Sequence, residues 1–212
     1  MGKIRVMLVD DHAVVRMGFC LLLHATDDIE VVAEMGRGED AVRRYPEVNP
    51  DVVVLDVSMP GIGGMDALTR ILAKDASAKI LVLSAHEDTV HPTRAIRAGA
   101  LGYLTKRGAP EELIGAIRHV AKGKMFVEPG IAQQMAMQRA TGGQDPVEVL
   151  TAREFQVFLA LAKGQSANKV AETMSLSPST VGTHLYNVKQ KLGASNAAEL
   201  TLIAIRNGLI DA

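Results

Sequence analysis

Residues 52–60 read Val-Val-Val-Leu-Asp-Val-Ser-Met-Pro. Four consecutive apolar residues with no polar alternation are the pattern of a strand buried on both faces, as the centre of a parallel sheet requires. The run stops at Asp56, so a carboxylate is carried to the carboxyl end of that strand. Outward from it, short β-rich runs lie at 4–9, 29–33, 80–83 and 101–104. Between them the apolar spacing turns helical. Residues 12–25 place Val14, Met17, Gly18, Leu21 and Leu22 on one face; 63–74 do so with Met65, Leu68, Ile71 and Leu72; 110–122 do so with Leu113, Ile117 and Val120. Five strand–helix units predict an α/β domain, a parallel sheet with helices on both faces.

The pattern changes after Phe126. Residues 131–138 read as a short helix, and Thr141-Gly142-Gly143-Gln144-Asp145-Pro146 as a linker without periodicity. From Val147 onward every signal is helical, at about 151–163, 166–174, 178–192 and 196–208. At 212 residues two domains fit. The expected division is 1–125, a connecting stretch 126–147, and 148–212.

Composition removes several function classes. With 48% apolar and 22% charged residues the chain is neither disordered nor fibrous. A net charge of −1 argues for neither nucleic acid nor membrane in bulk. The one cysteine, Cys20, excludes an internal disulfide and an all-cysteine metal cage, and reads as an inert core or boundary residue in a reducing compartment. No apolar run reaches the length of a membrane span, and the N-terminal run ends too soon, in Asp10-Asp11, to be a signal peptide. A cytoplasmic protein without membrane contact is expected. The aromatic content of 3% speaks against stacking platforms for single strands. The ten methionines read as core filler.

In open parallel sheets, ligands bind beyond the carboxyl ends of the strands. Here strand one ends at Asp10-Asp11, strand three at Asp56, strand four at Ser84, and strand five runs into Thr105-Lys106. Three carboxylates brought together repel one another and raise their pKa values. A divalent cation removes that conflict, and Mg²⁺ favours a few carboxylate oxygens with water and a phosphate oxygen. A lysine beside them can hold a phosphoryl oxygen. The set suits phosphoryl transfer to a carboxylate, with Asp56 as nucleophile and Asp10 and Asp11 on the metal. A lone Asp at a strand end is often just a helix cap, and a lone Lys a surface residue. What sets this rim apart is that all four strand ends carry the needed groups.

These residues resemble the receiver domain of bacterial two-component response regulators. The resemblance rests on Val9-Asp10-Asp11-His12, Leu55-Asp56-Val57-Ser58-Met59-Pro60-Gly61, Ser84-Ala85 and Gly102-Tyr103-Leu104-Thr105-Lys106, and covers about 3–125. It implies a flavodoxin-like (βα)5 fold and phosphorylation of Asp56 by a sensor histidine kinase. It further implies Mg²⁺ (or Mn²⁺) held by Asp10, Asp11, Asp56 and the Ser58 carbonyl, and Lys106 bridging to the acyl phosphate. Ser84 would move to a phosphoryl oxygen while Tyr103 turns inward. His86, two positions after Ser84, reads as a loop histidine beside the site, and His12 as a helix-start residue.

In the second half, Ser177 is a good N-cap and Pro178 suits the first helical position. Val181, Leu185, Val188 and Leu192 form one apolar stripe. The opposite face carries Ser179, Gly182, Thr183, Tyr186, Lys189 and Gln190. With the helix before it, separated by a tight turn at Leu176-Ser177, this reads as a helix-turn-helix within about 167–186. Leu150-Thr151-Ala152-Arg153-Glu154, Ala162-Lys163-Gly164, Val170-Ala171, Thr180-Val181, His184 and Lys191-Leu192-Gly193 resemble the LuxR-type four-helix DNA-binding domain over about 148–212. Receiver plus this domain is the NarL/FixJ class of response regulators. The resemblance implies a transcription regulator on double-stranded promoter DNA, a homodimer when phosphorylated, and no enzyme. Lys169, Lys189 and Lys191 are then candidates for phosphate contacts, Thr183 and Tyr186 for base edges, with Ser179, Thr180 and Gly182 on the same face. The chain departs from the family pattern where Gly182 replaces a usual lysine, where Ala167 and Asn168 alter the Ser-Asn-Lys-Glu order, and where Phe155 follows Arg153-Glu154.

Three other readings fit less well. An aspartate-nucleophile phosphatase needs an acid two residues after Asp56, where Ser58 stands. A dinucleotide-binding protein needs a glycine-rich loop after strand one, where Asp10-Asp11 would repel phosphate. A pure interaction module remains compatible with Gly182 and with six Lys/Arg against five Asp/Glu in residues 147–212.

Overall fold

The computed structural model describes residues 2–86, 88–108, 110–140 and 146–210. The core 141–145 of the expected linker lies outside the described residues. The chain forms two compact units, one of Met1–Glu87 with His91–Gln134 and one of Asp88–Val90 with Met135–Ala212. Among the described residues no helix is long and apolar enough to cross a membrane.

In the first unit the strands are β1 (Ile4–Val9), β2 (Ile29–Met35), β3 (Val52–Asp56), β4 (Ile80–Ser84), β5 (Gly102–Thr105) and β6 (Phe126–Val127). They form one parallel sheet in the order β2-β1-β3-β4-β5-β6. The expected five-stranded sheet thus gains a sixth member. Two residues are too few to show a period, so β6 had no signature; it forms because Phe126 N–H and Glu128 N–H donate to Leu101 and Tyr103 carbonyls. The connecting stretch 126–147 is therefore structured at its start, and the short helix expected at 131–138 forms as Pro129–Ala140.

The helices are α1 (Ala13–His24), α2 (Gly38–Val48), α3 (Gly63–Lys74), α4 (Val90–Arg97), α5 (Pro110–Ala121) and α6 (Pro129–Ala140). β3 is buried at every position, as its composition requires. Leu68 and Ile71 of α3, and Leu113, Ile117 and Val120 of α5, face the core as expected. Of the face assigned to α1, Leu22 packs against the core, but the rest points outward. Val14, Met17 and Leu21 are 84, 63 and 69% exposed, while Cys20 and Leu23 are buried. This helix is apolar nearly all round, so periodicity could predict it but not its rotation. The observed rotation packs Phe19, Cys20, Leu22 and Leu23 on the core and lets the Arg16 guanidinium donate to the Asp10 carbonyl (2.6 Å). Burial pushes the Cys20 thiol up to about 11, with Glu34 adding to the shift, so it is inert as expected. Met125 and Met137 are exposed as well, so the methionines are not uniformly core.

The second unit is helical: α7 (Ala152–Ala162), α8 (Ala167–Met174), α9 (Pro178–Leu192) and α10 (Ala197–Arg206), preceded by a 3-10 turn at Pro146–Val149. Each helix starts on a side-chain cap: Thr151, Ser166, Ser177 and Asn196 accept from the backbone N–H three residues on. Such caps each contribute about 1 kcal/mol. Phe155, Phe158, Val188, Leu200 and Ala204 build the core. Phe155 is 5% exposed, with its ring 6.2 Å from Phe158. Its departure from the family pattern is therefore a packing residue rather than a lost cation at a surface.

Candidate functional site

Sheet register assembles the rim of the first unit. Val9 lies opposite Leu55, so Asp10 and Asp56 leave neighbouring strands at one level. Asp56 lies opposite Leu83, and Ser84 opposite Thr105. Asp10, Asp56 and Ser84 are fully buried. Lys106 Nζ sits 2.7 Å from an oxygen of Asp10 and 2.7 Å from one of Asp56. Ser58 N–H donates to the other Asp56 oxygen (2.9 Å), and His12 N–H to Asp10 (2.8 Å). Asp10, Asp11, Asp56 and Lys106 converge, and Ser84 ends the strand next to β3 on the same rim.

The electrostatics follow from this packing. Burial raises the Asp56 pKa; Lys106 and the Ser58 N–H oppose the shift, and the Asp10 charge adds to it. Burial pulls the Lys106 ammonium down, but the two carboxylates outweigh it and the net shift is upward. Asp10, Asp11, His12 and Asp56 can each bring one ligand atom within 4.8 Å of the others. Asp11 Oδ1 is buried without a hydrogen bond; His12 Nδ1 lies 3.0 Å away but out of bonding geometry. An orphaned carboxylate oxygen beside two buried carboxylates fits a hard divalent cation, whose ligands are oxygens.

Ser84 Oγ accepts from His86 N–H (3.0 Å). Tyr103 is fully buried, and its hydroxyl donates to the His86 carbonyl (3.1 Å), so its ring already points inward. The His86 ring is half-buried and stacks on His91 at 4.1 Å.

In the second unit Ser177 caps α9, accepting from Thr180 N–H (3.1 Å), and Gly193 ends it in the left-handed conformation. Val181 and Val188 are fully buried, with Leu185 and Leu192 half-buried. Ser179, Gly182, Thr183, Tyr186 and Gln190 are exposed, as the spacing predicted. Thr180 is half-buried against Ser177. The cations are already engaged. Lys169 meets Glu172 (2.9 Å), and Lys189 Nζ donates to the Ser195 carbonyl (3.0 Å). Lys191, expected at a phosphate, instead holds the buried Glu154 carboxylate (2.6 Å).

Three comparisons agree on the family. Residues 6–118 match the response regulator receiver domain, and residues 148–204 match the bacterial regulatory proteins of the luxR family. The chain belongs to the response regulators. It is 42% identical over 211 residues to the response regulator UvrY of Escherichia coli (strain K12), covering 99% of this chain and 97% of that one. The crystal structure of a LuxR-family two-component response regulator from Aurantimonas sp. SI85-9A1 is 40% identical, with TM-score 0.64, over 66% of this chain and 99% of that one. The response regulator ChrA of a heme-sensing two-component system is 34% identical, with TM-score 0.56, over 99% of this chain and all of that one. The resemblance drawn from the strand ends and from the second-half motifs is thereby confirmed. This response regulator carries a receiver domain and a LuxR-type DNA-binding domain, and its family regulates transcription.

Two supporting groups in this response regulator, Glu128 and Glu39, had no sequence signal, because each acts across the fold. Glu128 accepts from Thr105 N–H (2.8 Å), fixing the strand end just before Lys106. Glu39 accepts from Ile62 N–H (3.0 Å) below the Asp56 loop. Glu154 completes a capping box with Thr151 and anchors α9 to α7 through Lys191.

The Glu154 pair predicts a pH dependence. Burial raises its pKa, but Lys191 and Thr151 outweigh that, and the net shift is below the ordinary value of 4.5. A depressed folded pKa contributes stability above the unfolded value, lost as pH falls through the folded value. The helical domain should therefore weaken progressively below about pH 4.5. Lys191→Met should cost about 2 kcal/mol at neutral pH and flatten that acid limb. Chemical denaturation at a series of pH values, followed by circular dichroism, measures both.

Proposed function

We propose that Asp56 takes a phosphoryl group from a sensor histidine kinase in the cytoplasm and that this switches binding of the LuxR-type domain to promoter DNA as a homodimer. The supporting observation is Lys106 Nζ at 2.7 Å from both Asp10 and Asp56. Asp56 supplies the attacking carboxylate oxygen; the phosphorus–nitrogen bond of the phosphohistidine breaks as the acyl phosphate forms. Asp10, Asp11, Asp56 and the Ser58 carbonyl would hold Mg²⁺ (or Mn²⁺), which supplies charge neutralisation for the incoming phosphoryl oxygens. Lys106 is positioned to bind one of those oxygens by leaving its carboxylate partners. Ser84 is positioned to donate to another by moving away from the His86 N–H, and this is the local event that reshapes the surface around residues 86–115. The protein turns over no substrate in this reading. Residues 1–125 act as receiver and 148–212 as reader.

α9 is the element proposed for the major groove, with Ser179, Thr180, Gly182, Thr183 and Tyr186 toward the bases and Lys169 and Lys189 toward phosphates. Selection of sites from random duplex DNA, in Mg²⁺ with and without the phosphoryl mimic beryllofluoride, tests the whole reading. Two half-sites enriched chiefly with the mimic are expected. Equal enrichment in both arms would overturn the switch, and none in either would leave an interaction module.

The metal assignment is checked separately. Asp11→Asn removes one charge and replaces one carboxylate oxygen by an NH2 that cannot ligate, while leaving Asp10, Asp56 and Lys106 in place. It should weaken Mg²⁺ binding by about tenfold or more in titration calorimetry. Undiminished affinity would take Asp11 out of the metal shell.

A further inference from the structure

The outward face of α9 has an unusual chemistry for a groove-reading helix. From Pro178 to Val188 it contains no Lys or Arg. The cations that follow are committed, Lys189 to the Ser195 carbonyl and Lys191 to Glu154. A Cβ added at Gly182 would meet nothing within 4 Å, so the backbone there is bare toward solvent. Thr183 turns its hydroxyl back to donate to the Ser179 carbonyl (3.1 Å). What remains to face outward at Thr183 is its methyl group. One turn on, Tyr186 is 64% exposed. Bare backbone, a methyl and an aromatic ring thus stand side by side, where a basic side chain would otherwise reach a guanine.

Base pairs differ in what they offer such a surface. Guanine presents two acceptors that call for Arg or Lys, whereas thymine presents a C5-methyl that calls for an apolar contact. We infer that α9 specifies A·T pairs at the centre of each half-site by packing the Thr183 methyl and the Tyr186 ring on thymine methyl groups, with Gly182 allowing the close approach. This rests on the DNA-binding reading above and adds its base preference. The preference is carried by apolar burial and not by charge, so it persists at salt concentrations that weaken the phosphate contacts.

Replacing thymine by uracil in DNA deletes only the methyl, which makes the test specific. The full chain, activated with beryllofluoride, is presented with its selected site and with copies carrying uracil at single half-site positions. At one or two central positions uracil should weaken binding about fourfold, the worth of one buried methyl. Thr183→Ser keeps the hydroxyl bond and loses the methyl. It should bind thymine and uracil copies equally at one of those positions, and Tyr186→Ala should do the same at the neighbouring one. Gly182→Lys should shift the central preference toward G·C. Equal binding of thymine and uracil copies by the unaltered chain overturns the inference while leaving DNA binding intact, as does a G·C-only centre. Failure to select any DNA overturns the DNA-binding reading itself, and the inference with it.

Discussion

Asp56→Asn is expected to leave the chain folded, more stable, and deaf to a phosphodonor. Phosphoryl incorporation should fall at least about a hundredfold, because the amide oxygen is a far poorer nucleophile than a carboxylate. The gain in stability has a separate cause. Asp10, Asp56 and Lys106 place two negative charges and one positive charge in a buried space. Removing the Asp56 charge leaves Lys106 still paired with Asp10 at 2.7 Å, so no unpaired cation is created. Relief of an uncompensated buried charge should raise the unfolding free energy by on the order of 1 kcal/mol at neutral pH without metal. Chemical denaturation in EDTA measures the stability, and incorporation from a small-molecule phosphodonor measures the chemistry. A variant that still takes phosphate would move the acceptor elsewhere; one that loses stability would mean that Asp56 chiefly anchors Lys106. Opposite signs in stability and activity are what a site kept for chemistry should show.

Gly64→Ala should cost both. A Cβ at Gly64 would run into the Asp56 carbonyl oxygen and come within 2.6 Å of the Val57 Cα. These are backbone atoms at the end of β3, and no side-chain rotation can clear them. Gly64 N–H also donates to the Val57 carbonyl (3.3 Å), so the start of α3 is held against that strand end. The methyl must push α3 off, or β3 out of register with its neighbours. Overpacking against a rigid partner costs about 3 kcal/mol. Because the displaced atoms include Asp56 itself, phosphoryl incorporation should fall several-fold at temperatures where the variant is still folded. Gly182→Ala is the matching control: its Cβ meets nothing within 4 Å, and it should stabilise α9 by up to about 1 kcal/mol. Equal stability of the Gly64→Ala variant and the unaltered chain would show that the two elements part without cost.

The reach of the sequence differs between particular residues. Strand ends were legible because a buried parallel strand must be apolar throughout, so the first polar residue after the run marks the rim. Asp10, Asp56 and Ser84 are selected in this way, and Lys106 as the residue after Thr105. The outward face of α9 was legible for the same kind of reason, since one apolar stripe leaves one opposite side. The rotation of α1 was not, because a helix apolar all round carries no phase. Nor were Glu128 and Glu39 legible as supports, nor the pairing of Glu154 with Lys191, since each joins residues far apart in the chain.

Local pattern, then, determined by itself that a parallel sheet would carry carboxylates, a hydroxyl and an amine to one edge, and that a capped helix with one apolar stripe would follow. Those outcomes need only the periods of strand and helix and the exclusion of polar groups from a buried strand. The tertiary structure alone decided which cations are engaged, which side of α1 faces solvent, that β6 exists, and that Gly64 admits no side chain. Each of these depends on distances between residues remote in the chain. A short-range code of alternation and spacing holds no information about which distant partner a side chain will find when the layers close.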